Sequence, residues 1–171
     1  MNRRELIGLA VAALATSQFT GCGKAPQVND STEANMPTAP ELKTAEASGP
    51  GAPDADAPAE FTATSSGLKY RILRKGTGPK PTRSSTAVVN YKGWLTDPND
   101  PFDQSYGREP FPVNMAGGVI DGWLEGLTYA EEGGMIELEI PPHLGYGERG
   151  APGAIPPNAT LHFTIEVLQV Q

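Results

Sequence analysis

A chain of 171 residues with 20 Gly, 17 Pro and 38 % hydrophobic content has room for one domain of ordinary size with a modest core, and its composition excludes an all-helical bundle. Of its net charge of −7, residues 1–22 carry +1, residues 23–60 carry −5 and residues 61–171 carry −3, so most of the acidity lies outside the expected domain. No cluster of Lys and Arg is present to neutralise phosphates, which argues against nucleic acid as a partner, and the single cysteine, Cys22, excludes an intramolecular disulfide or a cysteine-based zinc site.

The chain starts MNRRELIGLAVAALATSQFTGC, with Arg3 and Arg4 before an apolar run from Leu6 to Ala15 and small and polar residues after it. This layout predicts an export signal over residues 1–21, and the run is shorter than the roughly 20 apolar residues that a membrane span needs. Phe19-Thr20-Gly21-Cys22 resembles a bacterial lipobox, whose cysteine is lipidated and becomes the mature N-terminus, although Phe19 stands where Leu is usual. The other reading is an ordinary cleaved signal with an incidental cysteine. The Arg pair also fits a twin-arginine signal, so the export route stays open between the two.

Residues 22–60 then read as a tether. From Gly23 to Glu60 there is hardly a large apolar residue, many Pro and Ala, and an acidic excess. Such a stretch buries too little surface to offset its ordering entropy and is expected to be disordered and semi-extended. No apolar stripe of period 3.6 marks it as a dimerisation helix, which makes a monomer the expectation.

Around Thr62 the texture changes, and residues 61–171 read as the domain. LKYRIL (68–73) is a short strand, closed by the turn Gly76-Thr77-Gly78-Pro79. In TAVVNYKGWL, Val89, Tyr91, Gly93 and Leu95 share one strand face and Val88, Asn90, Lys92 and Trp94 the other, so Tyr91 points inward with the apolar set. TDPNDP (96–101) is turn chemistry, and PFDQSYGREPFPV is too interrupted for a long element.

In GGVIDGWLEGLTYA, Ile120, Trp123 and Leu127 fall on one face of a short, glycine-weakened helix that only packing can hold. MIELEI (135–140) alternates Ile136, Leu138 and Ile140 inward, and LHFTIEVLQV (161–170) turns Leu161, Phe163, Ile165 and Val167 inward with His162, Thr164 and Glu166 outward. The loop between them, residues 141–160, is long enough to suggest a function. The expected fold class is α+β, an antiparallel sheet with one short helix against it.

Covalent chemistry finds little support. Only His143 and His162 are available, no cofactor loop or metal-ligand spacing exists, and Glu131-Glu132, Glu137 and Glu139 read as solvated faces. No metal or cofactor is expected. Aromatic residues beside glycines and prolines are plentiful instead: Tyr91, Phe102, Phe111, Trp123, Tyr146 and Phe163. Each alone is explained by core filling, but together with Phe102-Asp103 they suggest an apolar ligand cleft with few polar groups.

In the order and spacing SGLKYRILRKGTG, VVNYKGWL, PFDQS, GGVIDGWLEGL and LGYGERGAPGAIPPNATLHFTIEVL, the chain resembles the FKBP-type peptidyl-prolyl cis-trans isomerases over roughly Ser65 to Gln171. The resemblance implies a five- or six-stranded, strongly twisted antiparallel sheet wrapped around one short helix. It also implies a proline pocket of Tyr91, Phe102, Asp103, Phe111, Val119, Ile120, Trp123, Tyr146, Ile155 and Phe163. In that pocket Trp123 would form the floor, Phe102, Phe111 and Phe163 the walls, and Tyr146 and the Ile120 amide the hydrogen-bond donors to substrate carbonyls. Tyr91, Asp103 and Tyr146 would be the catalytic members; for Asp103, polarising the pocket competes with simply capping a turn.

Ala151 and Ala154 replace bulkier residues common in that family, which would loosen the pocket and weaken binding of macrolides, its inhibitor class. Arg108 receives no role. The function implied is a rotamase that speeds X-Pro bond rotation in exported proteins, working from a lipid anchor in the periplasm or at the cell exterior. A proline-segment-binding chaperone or adaptor with little turnover is the alternative, and a purely structural lipoprotein would not need an aromatic cleft.

Overall fold

Alternation of apolar and polar residues governs most of the architecture in the computed structural model, which describes residues 49–171. The expected export signal, the cysteine of the lipobox and the first part of the tether lie outside these residues. Among the described residues no helix is long and apolar enough to cross a membrane.

Seven strands form one antiparallel sheet: β1 (Thr62–Ala63), β2 (Lys69–Arg74), β3 (Thr86–Trp94), β4 (Pro101–Gln104), β5 (Phe111–Asn114), β6 (Met135–Ile140) and β7 (Leu161–Val170). The order across the sheet is β1-β2-β6-β7-β3-β4, with β5 also paired to β3. Strand β5 takes the first half of β3 (Val89 opposite Phe111) and β4 the second half (Gly93 opposite Asp103). Prolines and glycines between Asp103 and Phe111 split this edge in two, giving six strands, the upper of the expected five or six, and a seventh in the two-residue β1.

One face of the sheet carries the core. Val89 from β3, Ile136, Leu138 and Ile140 from β6, and Leu161, Ile165 and Val167 from β7 are at most 1 % exposed, as the period of two requires. Helix α1 (Asp121–Gly126), continued by a 3-10 turn (Leu127–Tyr129), lies on that face. A helix of six residues is not stable by itself in water. It is held by close approach to β6, because Gly122 and Gly126 present no side chain to Ile140 and Leu138, and by burial of Trp123 and Leu127.

The opposite face is also covered. Asn90, Thr164 and Glu166, which alternate outward, are 2 %, 6 % and 7 % exposed. Two pieces of chain remote in sequence reach Glu166. Tyr106, between β4 and β5, donates its hydroxyl to Glu166 Oε2 at 2.8 Å. Residues 49–61, most of them in the expected tether, run along the sheet: Gly51 N–H donates to Glu166 Oε1 (3.2 Å), Asp54 N–H to the Leu73 carbonyl (2.7 Å) and Lys75 N–H to Asp54 Oδ2 (2.9 Å).

Arg71 adds a bond to the Ala59 carbonyl and sits 4.8 Å from the Phe61 ring. A buried carboxylate requires such partners, and Arg74 supplies the charge at 2.9 Å from Glu166 Oε1. Glu137 and Glu139, expected on a solvated face, pair across the strand boundary with Arg71 and Lys69 and are largely covered by them.

The packing of α1 on β6 predicts the sign of one substitution. A methyl group at Gly122 would lie 2.5 Å from Ile140 Cγ2, and Ile140 is fully buried. Helix propensity favours Ala by about 1 kcal/mol, but overpacking costs about 1–3 kcal/mol. Gly122→Ala should therefore lower the urea-unfolding free energy, by up to about 2 kcal/mol; a gain in stability would mean that the helix does not depend on this approach.

Candidate functional site

Strand β3 sends Tyr91 and Gly93 to the core face, and its cross-strand partners complete the wall. Phe163 on β7 lies opposite Gly93, and Phe102 on β4 meets Phe163 edge to face with ring centroids 5.5 Å apart. A Cβ at residue 93 would sit 2.5 Å from Phe163 Cε1 and 2.8 Å from Phe102 Cζ, so only glycine lets the two rings close over the strand. Before the helix, Gly117 and Gly118 take φ of 151° and 97°, and the chain turns through them into Val119 and Ile120. Ile120 is extended (φ −63°, ψ 147°), and its carbonyl receives the N–H groups of Trp123 and Leu124.

Trp123 stands at the centre of this arrangement. Its ring is met by Tyr91 at 5.0 Å, Phe163 at 5.2 Å and Phe111 at 6.3 Å, with interplanar angles of 75°, 88° and 81°. Three rings in edge-to-face contact around one indole give a stiff box, each pair contributing about 0.5–1.5 kcal/mol beyond area burial. Trp123 and Phe163 are 5 % and 4 % exposed, whereas Phe111 and Tyr146 are 40 % and 43 % exposed, so Trp123 forms the floor, Phe163 a buried wall and the last two a rim.

The cleft has a volume of about 270 Å³ and is lined by Tyr91, Phe102, Asp103, Phe111, Gly118, Val119, Ile120, Trp123, Tyr146 and Phe163. It is slightly smaller than the roughly 300–1,000 Å³ of sites for drug-sized ligands, a size for one small ring.

Its polar groups are few. Tyr91 donates its hydroxyl to Asp103 Oδ2 at 2.6 Å, and Arg108 Nη2 and the Gln104 N–H reach Asp103 Oδ1 at 2.7 and 2.8 Å. Ser105 locks the two strands beneath them, accepting the Tyr91 N–H and returning its own N–H to the Tyr91 carbonyl, both at 2.9 Å. Among the described residues, the Ile120 N–H and the Tyr146 hydroxyl have no hydrogen-bond partner, and Trp123 Nε1 is buried without an acceptor. No group of side chains among the described residues could hold a metal ion. Neither histidine faces the cleft: His162 stacks on Trp94, and His143 meets the Ser66 carbonyl.

Residues 78–168 match the family described as FKBP-type peptidyl-prolyl cis-trans isomerase. The chain belongs to this family. Over 109 residues it is 50 % identical to the FKBP-type peptidyl-prolyl cis-trans isomerase FkpA of Escherichia coli K12, covering 63 % of this chain and 39 % of that protein. It is 43 % identical to FK506-binding protein 1 of Gibberella zeae, covering 61 % of this chain and 98 % of the fungal protein. The crystal structure of FkpA from Escherichia coli superposes with a TM-score of 0.61 at 48 % identity, covering 65 % of this chain and 51 % of that one. The chain thus spans well under half the length of the first of these relatives and nearly the whole of the second.

Within this FKBP-type domain, nine of the ten residues expected at the pocket line the cleft together with Gly118. The tenth, Ile155, does not line it. A bridge between Ala151 and Ile155 turns it into the core, at 6 % exposure, beside a separate shallow depression on the long loop. Arg108, to which the sequence assigned nothing, is the cation of the site, brought to Asp103 by a turn through Gly107 at φ 79°.

Burial alone would raise the Asp103 carboxyl, but the hydrogen bonds from Tyr91 and Arg108 outweigh it and hold the group below the ordinary carboxylate value. The Tyr91 hydroxyl is pushed up, first by burial and then by its bond to Asp103. A carboxyl depressed in the folded chain contributes stability above its unfolded value, near pH 4, and loses it as pH falls through its folded value. The Asp103 side chain is 47 % exposed, so the contribution is at most about 1 kcal/mol. Asp103→Asn should therefore be less stable than the parent in urea unfolding at pH 7, with the gap closing as pH falls below the ordinary carboxylate value near 4; an equal gap in neutral and acid solution would show that charge plays no part.

Proposed function

We propose that this chain is a peptidyl-prolyl cis-trans isomerase that accelerates X-Pro rotation in proline-containing polypeptides. The observation that carries the reading is Trp123: a buried indole floor enclosed edge-on by Tyr91, Phe111 and Phe163, with unengaged donors at the rim. Family membership supports it, and so does the largely aromatic and aliphatic lining with its neutral donors, which suits the twisting of an amide, a step that transfers no proton.

Rotation about the X-Pro bond costs about 18–20 kcal/mol, because the twisted state gives up amide resonance, and each tenfold acceleration removes about 1.4 kcal/mol. The planar amide is the more charge-separated state. An aromatic cleft that excludes water disfavours it relative to the twisted one. Tyr146 and the Ile120 N–H act as donors to the carbonyls on either side of the bond, where a contact made in the twisted geometry lowers the barrier directly. Asp103, held by three donors, keeps the Tyr91 hydroxyl oriented rather than acting as a base.

The setting follows from the N-terminal sequence. An export signal, a lipidated Cys22 and the acidic tether place the domain outside the cytoplasm on a membrane anchor, acting as a monomer on exported proteins during folding. Macrolides enter the same cleft, more weakly for want of bulk at Ala151 and Ala154.

A protease-coupled assay on short X-Pro peptides tests the activity. Folded wild-type protein should accelerate isomerisation, and Trp123→Leu, checked by circular dichroism, should lose about 10- to 100-fold in kcat/KM, since it removes three edge-to-face contacts and the floor. Proline-peptide binding without acceleration by the wild type would convert the reading to that of a binding module.

A further inference from the structure

We infer that a second groove beside the aromatic cleft selects among substrates, with Asp121 favouring a Lys or Arg next to the proline. This rests on the isomerase reading. The groove is lined by Gly118, Val119, Ile120, Asp121, Gly145 and Tyr146, and it shares Gly118, Val119, Ile120 and Tyr146 with the cleft. Because cleft and groove meet at Ile120 and Tyr146, the groove lies where a residue flanking a proline seated on Trp123 would be received. At about 410 Å³ against 270 Å³ for the cleft, it has room for a side chain longer than that of proline.

Among the described residues, Asp121 is the one charged residue that lines it. The other carboxylate at the site, Asp103, already accepts three hydrogen bonds, one of them from Arg108, and its charge is matched. Asp121 is exposed and, among the described residues, makes no ion pair and no side-chain hydrogen bond. Its carboxylate is left to meet a ligand. A cation across such an exposed site gains a modest, salt-sensitive preference, and an anion loses a similar amount. A favourable charge in the first turn of α1 accounts for Asp121 as a stabiliser of the helix but would give no discrimination between substrates.

The test compares X-Pro peptides carrying Lys, Leu or Glu immediately before or after the proline. At low salt, wild-type kcat/KM should favour Lys over Glu by about two- to fivefold at one of the two positions, and the ratio should shrink in 0.5 M NaCl, roughly half the 1 M at which screening extends only about 3 Å. Asp121→Asn should bring the ratio close to one and Asp121→Lys should invert it. Glu60→Gln, at the far end of the sheet near β2, should keep it. A ratio unchanged in Asp121→Asn overturns the inference, as does an equal loss in Glu60→Gln, which would assign the preference to overall charge. If no peptide of any charge is turned over, the isomerase reading fails instead; the affinities of the same peptides, read from tryptophan fluorescence, then decide the groove by the same ratio.

Discussion

Everything at the site depends on how closely helix α1 lies on strand β6. Six residues cannot sustain a helix, so its position is set by what it touches, and two glycines one turn apart let its backbone rest on Ile140 and Leu138. That contact decides the height of Trp123 above the sheet. Tyr91, Phe111 and Phe163 can meet the indole edge-on at 5.0–6.3 Å only because the helix sits at this depth. Gly93 makes the matching concession on the opposite wall, so the cleft is bounded on two sides by positions where a side chain is missing.

The electrostatics of the cleft follow from the same economy of polar groups. Tyr91 and Arg108 both donate to Asp103 in charge-assisted bonds, so the carboxylate at the cleft has a guanidinium as its counter-charge. The groups left unengaged are neutral donors, the Tyr146 hydroxyl, the Ile120 N–H and the Trp123 indole. Neutral donors and aromatic edges suit a carbonyl and a ring, and they suit proton transfer poorly. The site is thus matched to a change of shape in its ligand.

Much of this was legible in the sequence. The long strands follow from strict alternation, and MIELEI and LHFTIEVLQV form strands at their expected positions because one face of each is fully buried. The inward direction of Tyr91 and the meeting of nearly all the pocket aromatics came from alternation and from family resemblance. What was not legible is coverage by remote chain. Glu166 and Asn90 alternate outward and would be solvated in an isolated sheet, yet Tyr106 and Gly51 bond Glu166 and Ser105 bonds Asn90, and no local pattern announces a contact across 115 residues.

The same holds for Arg108, whose approach to Asp103 depends on a turn at Gly107, and for Ile155, which a single loop bridge redirects into the core. Ile120 illustrates a different limit. Its spacing to Trp123 reads as helical, but it precedes the helix in extended form, and that conformation leaves its N–H unspent.

The covered outer face has a mechanical consequence. Residues 51–61 fasten to the back of the sheet through Glu166, Leu73 and Lys75, while the cleft opens on the front. A pull on residue 51 from the N-terminal side therefore meets the Gly51–Glu166 bond and the Asp54 clasp first, on β7 and at the end of β2, and not α1 or the rings around Trp123.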